Sequence, residues 1–361
     1  MTGGPHVLVA RLDGAGDVLL TGPAVRAVAA TASRVTFLAG PSGEEAARLL
    51  PGVDEVVTFD APWIPLEAAP FDGASCQSVI DGVARLGVDE AAILTSFHQS
   101  PLPLALLLRL AGVRRLAGSS VDHAGSLLDV RLRPGRDGSD QEDVHEVLRS
   151  LDVVAGLGHQ LPAGDDGRLA IHPVDTSARP FAEPYVVIHP GASAPARGWS
   201  VPRASALVDL LVDRGWSVAV TGGPGEAELT AAVVGGPRPR VVDLGGATAL
   251  DRLAGVLAGA AVVVVGNTGP AHLAAAVGTP IASIFAPVVA ADRWTPWGVP
   301  VALLGDQHIA CAGCRSVVCP IPGQPCLERV TPAAVAAAVE ALASEADPDG
   351  VPHRGGISCA S

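Results

Sequence analysis

Short β-branched runs alternate with helical stretches along the whole chain, and the alternation stops once and then restarts. His6–Arg11 (HVLVAR), Arg34–Ala39 (RVTFLA), Glu55–Phe59 (EVVTF) and Ala91–Thr95 (AAILT) read as strands. Helices are expected near Val18–Thr31, from about Ser42, from about Ser75, over Pro101–Ala111 and over roughly Asp140–Gly156. The last of these is acidic at its start, which suits the positive end of a helix dipole. After the turn-rich stretch Leu161–Pro184 the pattern resumes with strands Tyr185–His189, Ser217–Thr221, Arg240–Asp243, Ala261–Val265 and Ile281–Phe285. Helices are expected between them near Pro202–Asp213, Gly225–Val234, Ala249–Ala258 and Pro270–Val277, with a final helix over Thr331–Leu342. Such alternation specifies parallel, doubly wound sheets, so the fold class is α/β. The 361 residues suit two domains, at a prior of about 150 each. The expected division is residues 1–165, a linker over 166–184, a second domain over 185–346 and a frayed tail over 347–361.

Charge narrows the function classes. Asp and Glu number 37 against 24 basic residues, the net charge is −13, and the chain contains no Lys. A nucleic-acid binder needs a basic stripe, and none is present. An anionic ligand must therefore be met by a few Arg side chains and by backbone amides at helix starts. The N-terminus (MTGGPHVLVARLDGAGD) has no basic region ahead of its apolar residues, so a secretory signal is not expected and the cytoplasm is the expected location. Leu253–Ala291 carries no charge, but Gly266-Asn267-Thr268-Gly269-Pro270 and Gly278-Thr279-Pro280 cut it into pieces too short to span a bilayer. No basic amphipathic stretch announces membrane contact, which stays open for the acceptor site.

Ligands of open α/β sheets bind beyond the carboxyl ends of strands, so the turns after strands are the candidate sites. The first is Leu12-Asp13-Gly14-Ala15-Gly16-Asp17. It lacks the third glycine of a dinucleotide fingerprint, which weakens a dehydrogenase reading. Asp17 reads either as the N-cap of the following helix or as a general base facing the cleft, with Asp13 a rival for either role. The second turn, His189-Pro190-Gly191-Ala192-Ser193, leads to Arg197-Gly198-Trp199 and offers a hydroxyl at Ser193 and a phosphate-matching fork at Arg197. The third, Thr221-Gly222-Gly223-Pro224-Gly225-Glu226, allows close backbone approach and puts Glu226 within reach of a ribose, or is a plain tight turn. The fourth, Gly266-Asn267-Thr268-Gly269-Pro270-Ala271-His272, has the outline of a pyrophosphate cradle at a helix N-terminus. Asn267, the only Asn in the chain, suggests a specific polar contact, while His272 reads equally as a ligand contact or a core histidine.

These segments together resemble glycosyltransferase family 9, the heptosyltransferase family. The resemblance is carried by LDGAGDVLLTGPAVRAV, by HPGAS with Arg-Gly-Trp, and by GNTGPAHLAAAVGTPIASIFAP followed by RWTPWG, and it runs from about Val7 to Val335. It implies a GT-B fold, two Rossmann-like domains facing across a cleft with a nucleotide-sugar donor held mainly by the second. It also implies inversion at the anomeric carbon with no required metal. Carried over, Asp17 matches the general base, Arg197 the residue meeting the donor phosphates, and Thr268, Gly269 and His272 the donor-site turn. Asn267 stands where family members often have Asp, which keeps the hydrogen bonding and drops the charge. The expected donor is ADP-heptose, and the acceptor a glycan, glycolipid or natural product, approached on the Asp13 and Gly16 side. A nucleotide-sugar epimerase or a non-catalytic nucleotide-sugar-binding protein on the same scaffold is the alternative. Separately, Cys311-x2-Cys314-x4-Cys319-x6-Cys326 has one pair at metal-ligand spacing, so the cluster reads as a structural Zn site, as reduced thiols or as a disulfide.

Overall fold

The computed structural model describes residues 3–65, 70–133 and 144–346. The expected tail over 347–361 and the start of the expected Asp140–Gly156 helix lie outside the described residues. The first unit runs β1 (His6–Arg11), α1 (Ala15–Leu20), α2 (Gly22–Ala29), β2 (Arg34–Ala39), α3 (Glu44–Leu49), β3 (Glu55–Thr58), α4 (Gly73–Leu86), β4 (Glu90–Ile93), α5 (Leu102–Leu110), β5 (Arg115–Ser119), β6 (Val130–Leu132) and α6 (Glu146–Gly156). The second runs β7 (Tyr185–His189), α7 (Val201–Asp213), β8 (Ser217–Gly222), α8 (Ala227–Val234), β9 (Val241–Gly245), α9 (Leu250–Ala258), β10 (Val262–Gly266), α10 (Gly269–Ala276), β11 (Ile281–Ile284), α11 (Ala291–Trp294), β12 (Val301–Leu304), α12 (Pro325–Glu328) and α13 (Pro332–Ala346).

Both sheets are parallel and six-stranded, in the orders β3-β2-β1-β4-β5-β6 and β12-β11-β10-β7-β8-β9. Reversed, the second order repeats the first, so the two units share one doubly wound topology. In each, the chain's direction of travel switches beside the first strand, between β1 and β4 and between β7 and β10. A crevice opens at that point beyond the strand ends. The strands nearest it are apolar throughout because helices cover both faces: β7 is YVVIH and β10 begins VVVV, all buried. Apolar packing continues from one unit into the other, through Val18 and Leu19 of α1 and Ala271 and Leu273 of α10.

Two expectations change. The single helix expected near Val18–Thr31 is two, because Pro23 enters at the first turn of α2, where it lacks an N–H and its ring would clash with a carbonyl four residues back. Strands β5, β6 and β12 went unread, being short and flanked by Gly, Pro or Arg. The turn-rich stretch after Leu161 touches both units: Asp165 grips Arg26 through two bonds of 2.6 and 2.8 Å, the His172 N–H donates to the Leu49 carbonyl, and the Gly167 carbonyl accepts from Trp297 Nε1 at 3.0 Å.

Candidate active site

β1 is buried along its length and ends in a cation, Arg11, which is 1% exposed. A guanidinium that deep must be paired, and four groups surround it. Its Nη2 donates to Asp17 Oδ1 at 2.9 Å and to Ser96 Oγ at 2.8 Å, and its Nη1 donates to Glu146 Oε2 at 3.2 Å. Its Nε lies 2.7 Å from Asp13 Oδ2, an ion pair without hydrogen-bond geometry. Glu146 comes from the start of α6 and is also held at 3.6 Å by Arg149. One hub thus joins the turn after β1, the turn after β4 and the start of α6.

Asp17 does not cap α1. Gly14 is the N-cap, and Asp17 lies in the first turn, where the dipole favours a carboxylate. Burial is the largest influence on its acidity, and together with the negative charges of Asp13 and Glu146 it outweighs Arg11, raising the carboxyl to about 7. About a quarter of the side chain, 27%, stays open to solvent, so a hydroxyl can reach it. Asp13 is more fully engaged: besides Arg11 it accepts from Gln99 Nε2 at 2.5 Å and from Ser96 Oγ at 3.3 Å. Of the two rivals, Asp17 is the one suited to exchange a proton.

Across the cleft the N-terminus of α10 meets that of α1. A Cβ on Gly16 would come within 2.9 Å of the Gly269 Cα and 3.1 Å of the His272 ring, so only glycine allows this approach. Thr268 is the N-cap of α10 and Pro270 follows in its first turn, while the Ala271 N–H donates back to the Thr268 carbonyl at 3.0 Å, so the helix start presents the positive end of its dipole to the cleft. His272 is buried and held neutral, its pKa pushed down to about 3 by burial first and then by His145. Asn267 Nδ2 donates to Ala286 O at 3.4 Å, while its Oδ1 is without a protein partner among the described residues.

The turn after β7 delivers Arg197 in a short 3-10 turn. Burial pulls its pKa down and the Asp17 carboxylate pushes it up, so the two groups lie in each other's field. Ser193 is exposed on the same loop. At the end of β8, Thr221 Oγ1 is occupied by His189 Nδ1 at 3.0 Å. Glu226 folds back to accept from Gly223 N–H at 2.7 Å, and its carboxylate fills the space where a Cβ on Gly191 would stand. Gly222 is buried, and a Cβ there would meet Thr230 at 2.8 Å. Cys311, Cys314, Cys319 and Cys326 are free thiols lining one cavity of about 20 Å³. Cys319 Sγ turns to the Ile321 carbonyl and Ser316 hydrogen-bonds the Cys314 sulfur. Among the described residues no group of three or more His, Cys, Asp or Glu is arranged to hold a metal ion.

The structure brings Asp13, Asp17, Arg197, Asn267, Thr268, Gly269 and His272, all singled out in the sequence, around one cleft. Sequence reading missed Arg11, Ser96, Gln99 and Glu146. The one available signal was a charged residue ending an otherwise apolar buried strand.

The model of glycosyltransferase family 9 (heptosyltransferase) matches residues 102–324. Lipopolysaccharide heptosyltransferase 3 of Escherichia coli is 35% identical over 118 residues, so the match spans about a third of each chain, 31% of this one and 34% of the relative. Among solved structures, the family 9 glycosyl transferase of Veillonella parvula superposes with a TM-score of 0.77 at 17% identity, covering 96% of this chain and 99% of its own. The E. coli ADP-heptose heptosyltransferase II gives 0.72 at 19% identity, covering 95% and 99%. These likenesses carry the GT-B fold, two Rossmann-like units facing across a cleft. With the family model covering well over half its length, the chain belongs to glycosyltransferase family 9, the heptosyltransferase family.

Proposed function

We propose that this protein is an inverting, metal-independent glycosyltransferase that moves a heptose from ADP-heptose to a hydroxyl of a glycan or glycolipid in the cytoplasm. The observation that carries the reading is Asp17: a half-buried carboxyl with its pKa raised to about 7, opposite the start of α10 and in the field of Arg197. A base works best with a pKa near the working pH. Asp17 takes the proton of the acceptor hydroxyl, and the oxygen attacks the anomeric carbon as the nucleotide diphosphate leaves from the opposite face. Negative charge grows on the departing phosphate, where Arg197 and the positive end of the α10 dipole lower its energy. Arg11 keeps Asp17 oriented while leaving its charge state open to change. His272, neutral near pH 7, is able to donate or accept one hydrogen bond without adding charge. Of the solved relatives, one E. coli heptosyltransferase was crystallised with ADP-2-deoxy-2-fluoro heptose, which supports this donor class. The match to lipopolysaccharide heptosyltransferase 3 supports a lipopolysaccharide-type acceptor. Among the described residues no helix is long and apolar enough to cross a membrane, so a lipid-linked acceptor would be met at the membrane surface.

A thermal-shift panel of ADP, GDP, UDP, their sugar conjugates and NAD tests the donor class. A ligand at 100 times its Kd adds about 2.7 kcal/mol of stability. ADP and ADP-heptose are expected to shift the transition selectively, and ADP-heptose incubated alone is expected to remain unchanged. A shift with NAD alone, or conversion of the donor to its epimer without an acceptor, would contradict the reading.

A further inference from the structure

Two guanidinium groups of the second unit reach across the cleft to one aromatic ring of the first. Phe97, in the turn after β4, has the Arg293 Cζ 4.2 Å and the Arg315 Cζ 4.4 Å from its ring centroid. Arg293 lies on α11 and is 7% exposed. Neither arginine is paired with a carboxylate among the described residues, although the same protein pairs Arg11, Arg26, Arg109 and Arg115 with acids. A buried cation without a counter-charge is costly, and an aromatic face offsets only part of that cost. Arg315 adds a second peculiarity. Its backbone is left-handed at φ 53, a conformation that a non-glycine residue seldom adopts, and its N–H is fixed to the Val288 carbonyl at 2.9 Å. Strain of this kind persists where the surroundings fix it, and here it directs a cation into the cleft.

The neighbours of Phe97 tell which side of the reaction these cations serve. Ser96 and Gln99, on either side of it in the same turn, both donate to Asp13, and Ser96 also accepts from Arg11. His98 lies edge-on to Phe97 at 5.4 Å, and its pKa is lowered by burial first, with Asp13, Arg315 and Arg11 all within reach of it. The arginine pair therefore borders the first unit's face of the hub, whereas Arg197 and the start of α10 border the donor face. A guanidinium fork matches the geometry of phosphate and carboxylate oxygens.

We propose that Arg293 and Arg315 form an anion subsite for the acceptor, receiving a phosphate or carboxylate group carried close to the hydroxyl that Asp17 deprotonates, with Phe97 fixing the two guanidinium groups in the cleft. The inference rests on the acceptor-side reading of the first unit given above.

Calorimetric titration of inorganic phosphate, and separately of acetate, into protein saturated with ADP tests it, comparing the native chain with Arg293→Gln, Arg315→Gln and the double variant. Saturable binding of at least one anion to the native chain is expected, at least tenfold weaker in the double variant, with ADP affinity within twofold of native throughout. Stronger phosphate binding would name a phosphorylated acceptor and stronger acetate binding a carboxylated one. Arg315→Gln, in an exposed loop, keeps the test readable if Arg293→Gln impairs folding. The proposal is overturned if neither anion binds, if the double variant binds as the native chain does, or if ADP weakens in step with the anions, which would place the pair on the donor diphosphate. Failure of the native chain to bind ADP would count against the donor reading alone, because the anion titration can be run without it.

Discussion

Replacing Asp17 with Asn should make the protein more stable at pH 8, although it removes a partner of Arg11. In the folded chain the carboxyl holds its proton up to about 7, whereas an unfolded Asp releases it near 3.8. Between those values the native state binds more protons than the unfolded one, so this group's contribution to stability falls as pH rises from about 4 to about 7. Every tenfold difference in proton affinity between the two states corresponds to about 1.4 kcal/mol, which sets a ceiling of roughly 4 kcal/mol on the destabilisation at pH 8. The open quarter of the side chain lowers this, and about 1 to 3 kcal/mol is the expected gain on neutralisation. Asn keeps the shape and an oxygen for Arg11 to donate to. Urea denaturation of both proteins at pH 8 and pH 5, at one ionic strength, measures the difference. The variant should lead at pH 8, and the lead should shrink toward zero as pH approaches 4. A variant less stable than native at pH 8 would show that the pair with Arg11 outweighs burial and that the carboxyl lies below its ordinary value, refuting the reasoning.

Other consequences follow from the same geometry. Arg11→Met leaves Asp13, Asp17 and Glu146 without their shared cation and should cost about 3 to 5 kcal/mol, read by denaturant midpoint. It should also move the acid limb of the pH–rate profile upward, because Arg11 is what lowers the Asp17 pKa; a limb that stays in place would contradict the hub. Gly16→Ala puts a Cβ against Gly269 and His272, so transfer should fall at least tenfold with a small change in melting temperature, and full activity would show that the two helix starts need not meet. Turnover should survive treatment with EDTA unchanged, and a loss restored by added Zn would contradict the metal-independent scheme.

What the sequence disclosed and what it concealed divide along physical lines. The crevice residues lay in turns directly after β-branched runs, and β1, β7 and β10 are buried enough to read as continuous apolar strands. Asp13, Arg197 and the Asn267–His272 turn were therefore legible by position. The hub was not, because Glu146 lies 135 residues from Arg11 and Ser96 lies 85 away, and no local pattern encodes such a pairing. The N-cap ambiguity at Asp17 had a similar source: Gly14 takes the cap through backbone conformation, without a side chain to advertise it. The break between α1 and α2 was encoded by Pro23, but its effect was masked by apolar periodicity running through both helices.

The most direct test of the central claim is the rate of sugar transfer from ADP-heptose by Asp17→Asn, measured beside its affinity for ADP. A general base contributes about 10² to 10⁴ in rate. The predicted result is a fall in kcat of at least a hundredfold with ADP affinity within twofold of native. A variant that transfers at the native rate with ADP affinity intact would show that another group takes the proton and that Asp17 is not the base.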